Sequence, residues 1–101
     1  MMTTAPRPKA SPTVLGENGR AIATEWRFAP GAETGWHRHG HDYLVVPMTT
    51  GKLLLEEPGG VSRTVDLVTG KPYFREEGVE HNVINASSGE FVFIEVEIKK
   101  T

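Results

Sequence analysis

The stretch GWHRHGHDY, Gly35 to Tyr43, carries three of the chain's four histidines at alternate positions: His37, His39 and His41. Successive side chains on a strand point to opposite faces. A regular strand therefore sets His37, His39, His41 and Tyr43 on one face, with Trp36, Arg38, Gly40 and Asp42 on the other. Imidazoles two residues apart are about 6–7 Å apart at Cα, from a rise of roughly 3.3 Å per residue. Both rings can then reach one ion at about 2.0–2.2 Å. A histidine row on a solvated strand needs no ion, and the tract alone does not separate the two readings. The fourth histidine favours the ion. His81 stands in EEGVEHNVIN, forty-two positions after His39, in a second strand-like run behind a turn at Gly78. Two ligands rarely hold a metal tightly, and a third from another strand closes the site.

The runs around these two segments are short and strand-like. AIATEWRFAP ends at Pro30-Gly31, and DYLVVPMT is followed by Thr50-Gly51. KLLLEE stops at Pro58-Gly59-Gly60, a hairpin signal leading into VSRTVDLV, and KPYF, EHNVIN and FVFIEVEI follow. In the last run Val92, Ile94, Val96 and Ile98 alternate with Phe91, Phe93, Glu95 and Glu97, the period of a strand. No stretch sustains a helical period with caps. Short strands punctuated by glycine turns predict an all-β sandwich, barrel or jelly roll. Residues 1–12, with Pro6, Pro8 and Pro12 among small polar residues, read as a flexible or extended arm. Residues 13–101 form the domain.

At 101 residues the chain makes one domain, burying roughly 60–65% of its unfolded surface. The formal charge is −2 with both signs interspersed, which argues against a nucleic-acid or anionic-membrane surface. The absence of cysteine excludes disulfides, thiolate metal sites and cysteine nucleophiles. MMTTAPRPKASP has no apolar run and reads as no signal peptide, and no run approaches a membrane span of about 18 apolar residues. A cytoplasmic protein is the expectation.

With both histidine segments placed, the sequence resembles a cupin. The first cupin motif runs Gly, five residues, His-x-His, three or four residues, Glu, six residues, Gly. Here Gly31 precedes His37-Arg38-His39 by the same interval, and the motif closes near Gly51. The second runs Gly, five residues, Pro-x-Gly, two residues, His, three residues, Asn, matched by Gly70, Glu76-Glu77-Gly78, His81 and Asn85. The resemblance spans Gly31–Asn85 and, with flanking strands, most of the chain beyond the arm. It implies a single-domain cupin-type β-barrel or jelly roll. Two positions depart from the pattern. Tyr43 stands where the first motif usually has its glutamate ligand, and Glu76 replaces the proline, leaving Gly78 to make the turn.

The resemblance implies His37, His39 and His81 as metal ligands with no protein carboxylate beside them. Three-histidine cupins can hold iron and activate dioxygen toward thiols or diketones. The segment GWHRHGHDYLVVPMTTG also resembles that of small stand-alone cupins associated with β-alanine degradation, a label that defines no chemistry. Three imidazoles suit a divalent transition metal, iron foremost, with Zn, Ni, Mn, Cu or Co as alternatives, over Mg or Ca. Three protein ligands also leave coordination positions open, as catalytic sites do.

Tyr43 and His41 are the candidate catalytic residues. Tyr43 either hydrogen-bonds a metal-bound water or substrate, or packs with its hydroxyl satisfied. His41 is a fourth ligand, an acid/base behind the ligands, or a rim histidine in water. Trp26, Phe28, Trp36, Phe91 and Phe93 read as core, and Met48 as packing. Glu95 and Glu97 ordinarily belong on a solvated face, although one could point into the barrel. Arg75-Glu76-Glu77 and Lys99-Lys100 read as solvated charge.

The leading functional expectation is a metal-dependent enzyme of dioxygenase type acting on a small polar metabolite. The alternatives are a non-catalytic metal-tethered small-molecule binding or sensor protein, and a metal-dependent isomerase or lyase. A homodimer is expected, with the arm as an exchangeable strand.

Overall fold

The computed structural model describes residues 6–100. The described chain is nine strands and one 3-10 turn, Pro58–Gly60, where Gly59 and Gly60 take φ of 82° and 75° that favour glycine. The strands are β1 Ser11–Glu17, β2 Ala21–Phe28, β3 His37–Arg38, β4 Asp42–Pro47, β5 Gly51–Glu57, β6 Val61–Leu67, β7 Tyr73–Arg75, β8 Glu80–Asn85 and β9 Phe91–Ile98. They form two sheets, ordered β1-β2-β9-β4-β7 and β3-β8-β5-β6, with all strand pairs antiparallel. This is the all-β jelly roll expected from the sequence. The last strand, β9, lies at the centre of the larger sheet. No helix among the described residues is long and apolar enough to cross a membrane.

The registers place inward-facing side chains in rows across the larger sheet. One row is Phe28–Phe91, and the next is Trp26–Phe93–Pro47. Beyond them come Thr24–Glu95–Val45–Tyr73, then Ile22–Glu97–Tyr43–Arg75. The interior thus passes from phenyl rings at one end to charged and hydroxyl groups at the other. Phe28 and Phe91 are fully buried, each burial stabilising the fold by roughly 1.5–3 kcal/mol. Leu53 and Leu55 on β5 and Val83 on β8 complete the core from the facing sheet.

β8 is buried on both faces from His81 to Asn85, which simple alternation does not anticipate. Its outer face is covered by the chain around Glu33, bridged to Ile84, and by Lys9, bridged to Glu33. Ala10 donates its amide to Glu33 O at 2.8 Å, and Glu33 donates to Pro8 O at 2.9 Å. Arg7 reaches Glu33 at 3.1 Å and Glu56 at 3.2 Å, while Asn82 Nδ2 donates to both carboxylates at 2.9 Å. Of the stretch read as an arm, residues 1–5 lie outside the described residues. Pro8 to Ala10 bind along Glu33, and Ser11 and Pro12 open β1.

Trp36, read as core, and Met48, read as packing, are on the surface instead. Trp36 is 55% exposed and Met48 48% exposed. Trp36 precedes a two-residue strand, and Met48 lies in the bend after β4, so neither has a sheet face to bury against.

Candidate metal centre

The sequence predicts His37 to Tyr43 on one face of one strand, and the structure corrects this. β3 is only His37–Arg38 and pairs with β8, whereas β4 opens at Asp42 in the other sheet. The chain bends through Gly40 and His41 between them. His37 and His39 come from β3 and the residue that follows it, and meet His81 on the neighbouring β8 of the same sheet, whereas Tyr43 belongs to the other sheet.

His37 lies directly opposite His81 in the β3–β8 ladder. His39, one residue past β3, is held by two backbone bonds: its amide donates to Val79 O at 2.9 Å, and Gly78 donates to its carbonyl at 2.8 Å. Gly78 turns with φ 93° and Val79 N bonds Glu76 O at 3.4 Å, so this turn forms without the proline of the usual motif. His37 Nε2 and His39 Nε2 are 2.9 Å apart, and His39 Nε2 and His81 Nε2 are 3.0 Å apart. His37, His39 and His81 therefore form one potential ligand set, with no carboxylate in it.

The proton positions show that this set suits a cation. His37 Nδ1 is 2.8 Å from Gly35 O and, facing an acceptor, must be the donor. Gly35 is fixed in turn by donating its amide to Asn82 Oδ1 at 3.0 Å. A neutral His37 then directs the Nε2 lone pair inward. Burial first, then the neighbouring His37 and His81, lowers His39 to a pKa of about 3. Burial and His37 lower His81 to about 4. Both rings are neutral near pH 7. If His39 Nε2 carries a proton toward its neighbours, His81 is left with a buried Nδ1–H that has no partner. If His81 Nε2 carries it, the lone pairs of His37 and His39 face each other at 2.9 Å. A metal ion accepts all three lone pairs and removes the conflict. A histidine ligand whose other ring nitrogen donates to a carbonyl is the usual metal-site arrangement, and His37 has it.

Tyr43 packs flat on His39, with ring centroids 3.8 Å apart and planes 18° apart. It is 2% exposed, and its hydroxyl is buried without a hydrogen-bond partner. Burial raises its pKa well above the ordinary tyrosine value, an increase that Arg75 opposes, so the hydroxyl stays protonated. It faces a narrow cavity of about 20 Å³ shared with His37, His81, Arg75 and Glu95, enough for about one water. A wider cleft of about 230 Å³ reaches His37 and His39 past Trp26, Glu95 and Glu97.

Glu95 is the inward carboxylate. It is 7% exposed, and burial followed by the adjacent Glu97 raises its pKa to about 8. It belongs to the inward row because β9 keeps its alternation to the end, so Phe91, Phe93 and Glu95 share a side. Arg75, read as solvated charge, is half-buried and lines the cavity. Its parity with Tyr73 in the run Tyr73-Phe74-Arg75 is the signal that could have placed it, since Phe74 between them is 69% exposed. Among the other predicted residues, Phe28, Phe91 and Phe93 are core, while Trp26 lines both the cavity and the cleft. His41 stands apart from the three-histidine set, in the bend before β4, with a buried Nδ1 that has no partner. Asn85, the last residue of the second motif, is a brace: its Nδ2 donates to Phe28 O, Ala29 O and Gly89 O, and its Oδ1 accepts from Ser87 N.

The family model described as a cupin domain, Cupin_2, matches residues 24–97. A Pseudomonas aeruginosa PAO1 protein named beta-alanine degradation protein BauB is 67% identical over 93 residues, covering 92% of this chain and 97% of that protein. A cupin domain from Bordetella pertussis Tohama I, solved by crystallography, superposes with a TM-score of 0.92 at 63% identity, covering 96% of this chain and all of that one. A cupin superfamily protein from Desulfitobacterium hafniense DCB-2 shares the fold at 15% identity, with a TM-score of 0.70 over 97% of this chain and 84% of that one.

Proposed function

This chain belongs to the cupin family, and from that premise we propose that it is a metal-dependent enzyme of dioxygenase type acting on a small polar metabolite. The observation that carries the reading is the convergence of three imidazole nitrogens with no carboxylate among them. His37, His39 and His81 would hold the ion, iron foremost. Bound there, a divalent iron supplies open coordination positions for dioxygen and for a substrate oxygen.

The chain's own residues contribute binding and proton control. Tyr43, protonated at all ordinary pH values, offers its hydroxyl as a donor to whatever lies beside His39. Glu95 is a carboxyl that gains or loses its proton near neutrality, in reach of the same cavity. Val45, Leu53 and Phe93 wall the cavity and limit water around it. The relative's name connects that protein with β-alanine degradation. We carry to this chain a role in handling a small metabolite of that kind.

Two measurements test the reading. Untagged protein should contain near-stoichiometric transition metal by plasma mass spectrometry, and His81→Ala should lose it. The Fe(II)-loaded protein should then consume oxygen with a thiol, diketone or keto acid. No oxygen uptake with any of these rejects the oxygenase reading. The buried Glu95 favours a second reading, a metal-dependent isomerase or lyase in which this carboxyl moves the proton, and turnover that continues without oxygen would select it.

A further inference from the structure

Tyr43 on β4 stands directly opposite Arg75 on β7. Directly opposed residues of an antiparallel pair share a face, with Cβ atoms about 4.5–5.5 Å apart, so both side chains are carried on the inner side of the sheet. Arg75 lines the narrow cavity together with His37 and His81, and it also lines a separate cleft of about 350 Å³ with Leu55, Arg63 and Tyr73. It stands where the open cleft meets the histidine cavity.

Among the described residues the guanidinium has no ion-pair or hydrogen-bond partner. Arg7, Arg27 and Arg63 are each ion-paired. Among the described residues Arg75 forms no ion pair and no side-chain hydrogen bond, and Arg20 and Arg38, which also lack ion pairs, are exposed on the surface. Arg75 is half-buried. An unpaired charge held away from water is costly. The carboxyl of Glu95 shares the cavity yet lies beyond ion-pairing distance. Beside Arg75 is a second orphan, the Tyr43 hydroxyl, 2% exposed as a residue and lacking an acceptor. Two donors from opposed residues, one of them cationic, face the same small space.

We infer that Arg75 and Tyr43 form a carboxylate-binding end of the site, so that its ligand is a short-chain carboxylic acid. Its carboxylate lies on the Arg75 fork and accepts the Tyr43 O–H, and its far end extends toward His37, His39 and His81. This requires the intervening space, about one water in volume in this structure, to open on binding. A planar, singly charged carboxylate matches the guanidinium in a bidentate pair. A phosphate would bring more charge and more acceptor oxygens than one free arginine and one hydroxyl satisfy, because Arg63 is already engaged by Glu57 at 2.7 Å. The direction of the far end rests on the metal-centre reading above, whereas the anion end does not.

The test uses the full chain loaded with redox-inert Zn(II), with propionate as probe and propionamide as its neutral match. NMR should show the Arg75 Nε–H signal shifting with propionate and not with propionamide. Arg75→Met should weaken propionate binding about tenfold or more, Arg75→Lys should recover part of it, and Tyr43→Phe should lose several-fold. Metal content should be unchanged in Arg75→Met. Failure of propionate to shift the Arg75 signal, or equal binding of propionate and propionamide, overturns the inference. Repeating the titration on metal-free protein separates the two proposals. Propionate that still shifts Arg75 without metal supports the anion site even if no metal ever binds. Propionate binding that vanishes without the ion and is unchanged in Arg75→Met makes the ion the anion site and overturns the role of Arg75.

Discussion

Glu95 combines a buried position with a group that water would ionise. In the folded, metal-free chain its pKa is about 8, against 4.5 for an ordinary glutamate, because burial and the neighbouring Glu97 disfavour the charged form. A carboxyl raised in the fold contributes its full stability below the unfolded value and loses it as pH rises through the folded one. His39 and His81, lowered to about 3 and about 4, act in the opposite sense and lose stability only as pH falls below 6.5. The decline between about pH 6.5 and 8 therefore belongs to Glu95. Melting curves of metal-free Glu95→Gln should coincide with wild type at acidic pH and lie above it beyond neutrality, by up to a few kcal/mol. Parallel curves across that range would mean that Glu95 is ionised in the fold. At this scale the sequence makes the cluster of His37, His39 and His81 legible through the histidine spacing, yet leaves Glu95 and Arg75 on a solvated surface. Alternation along β9 and β7 gives the parity of these residues. It does not say that the inward side becomes polar at one end of the barrel.

At the scale of the element, Gly51 opens β5 against the β8–β9 connection. A Cβ at this position would collide with Ser87 Oγ and come within 2.9 Å of the buried Phe91 ring. Its φ is not in the left-handed region, so the need for glycine is one of space. Gly51→Ala should cost about 1–3 kcal/mol in chemical denaturation, while Gly16→Ala, with open space around its Cβ, should cost far less. Equal losses in the two variants would show that backbone freedom, and not the Phe91 contact, sets the requirement. The strands from β2 onward, apart from the two-residue β3, are legible because apolar alternation is bounded by turn residues. β1 is not, because all seven of its residues are exposed and a strand with no buried face leaves no period to read. The alternation from His37 to Tyr43 misleads for a different reason. The histidine spacing is that of a strand, and nothing in it marks the bend at Gly40 where the chain changes sheets.

For the whole molecule, β1 is the outlying element. It pairs only with β2, and Val14 and Leu15 are 61% and 53% exposed. A seven-residue edge with apolar side chains is a pairing surface, and we propose that a second copy of the chain covers it to make a homodimer. Light scattering at micromolar concentration should give twice the chain mass, and Leu15→Lys should shift it toward the single chain. A wild-type monomer under these conditions rejects the dimer.

The central place of β9 bears on how the protein is made. β2 and β4 do not touch as neighbours, since both hydrogen-bond to Phe91–Ile98. Until those residues leave the ribosome, β2 and β4 have no strand between them to join them. His37, His39 and His81 are all synthesised by then. A nascent chain can therefore present its histidine cluster before the barrel that shelters it can close.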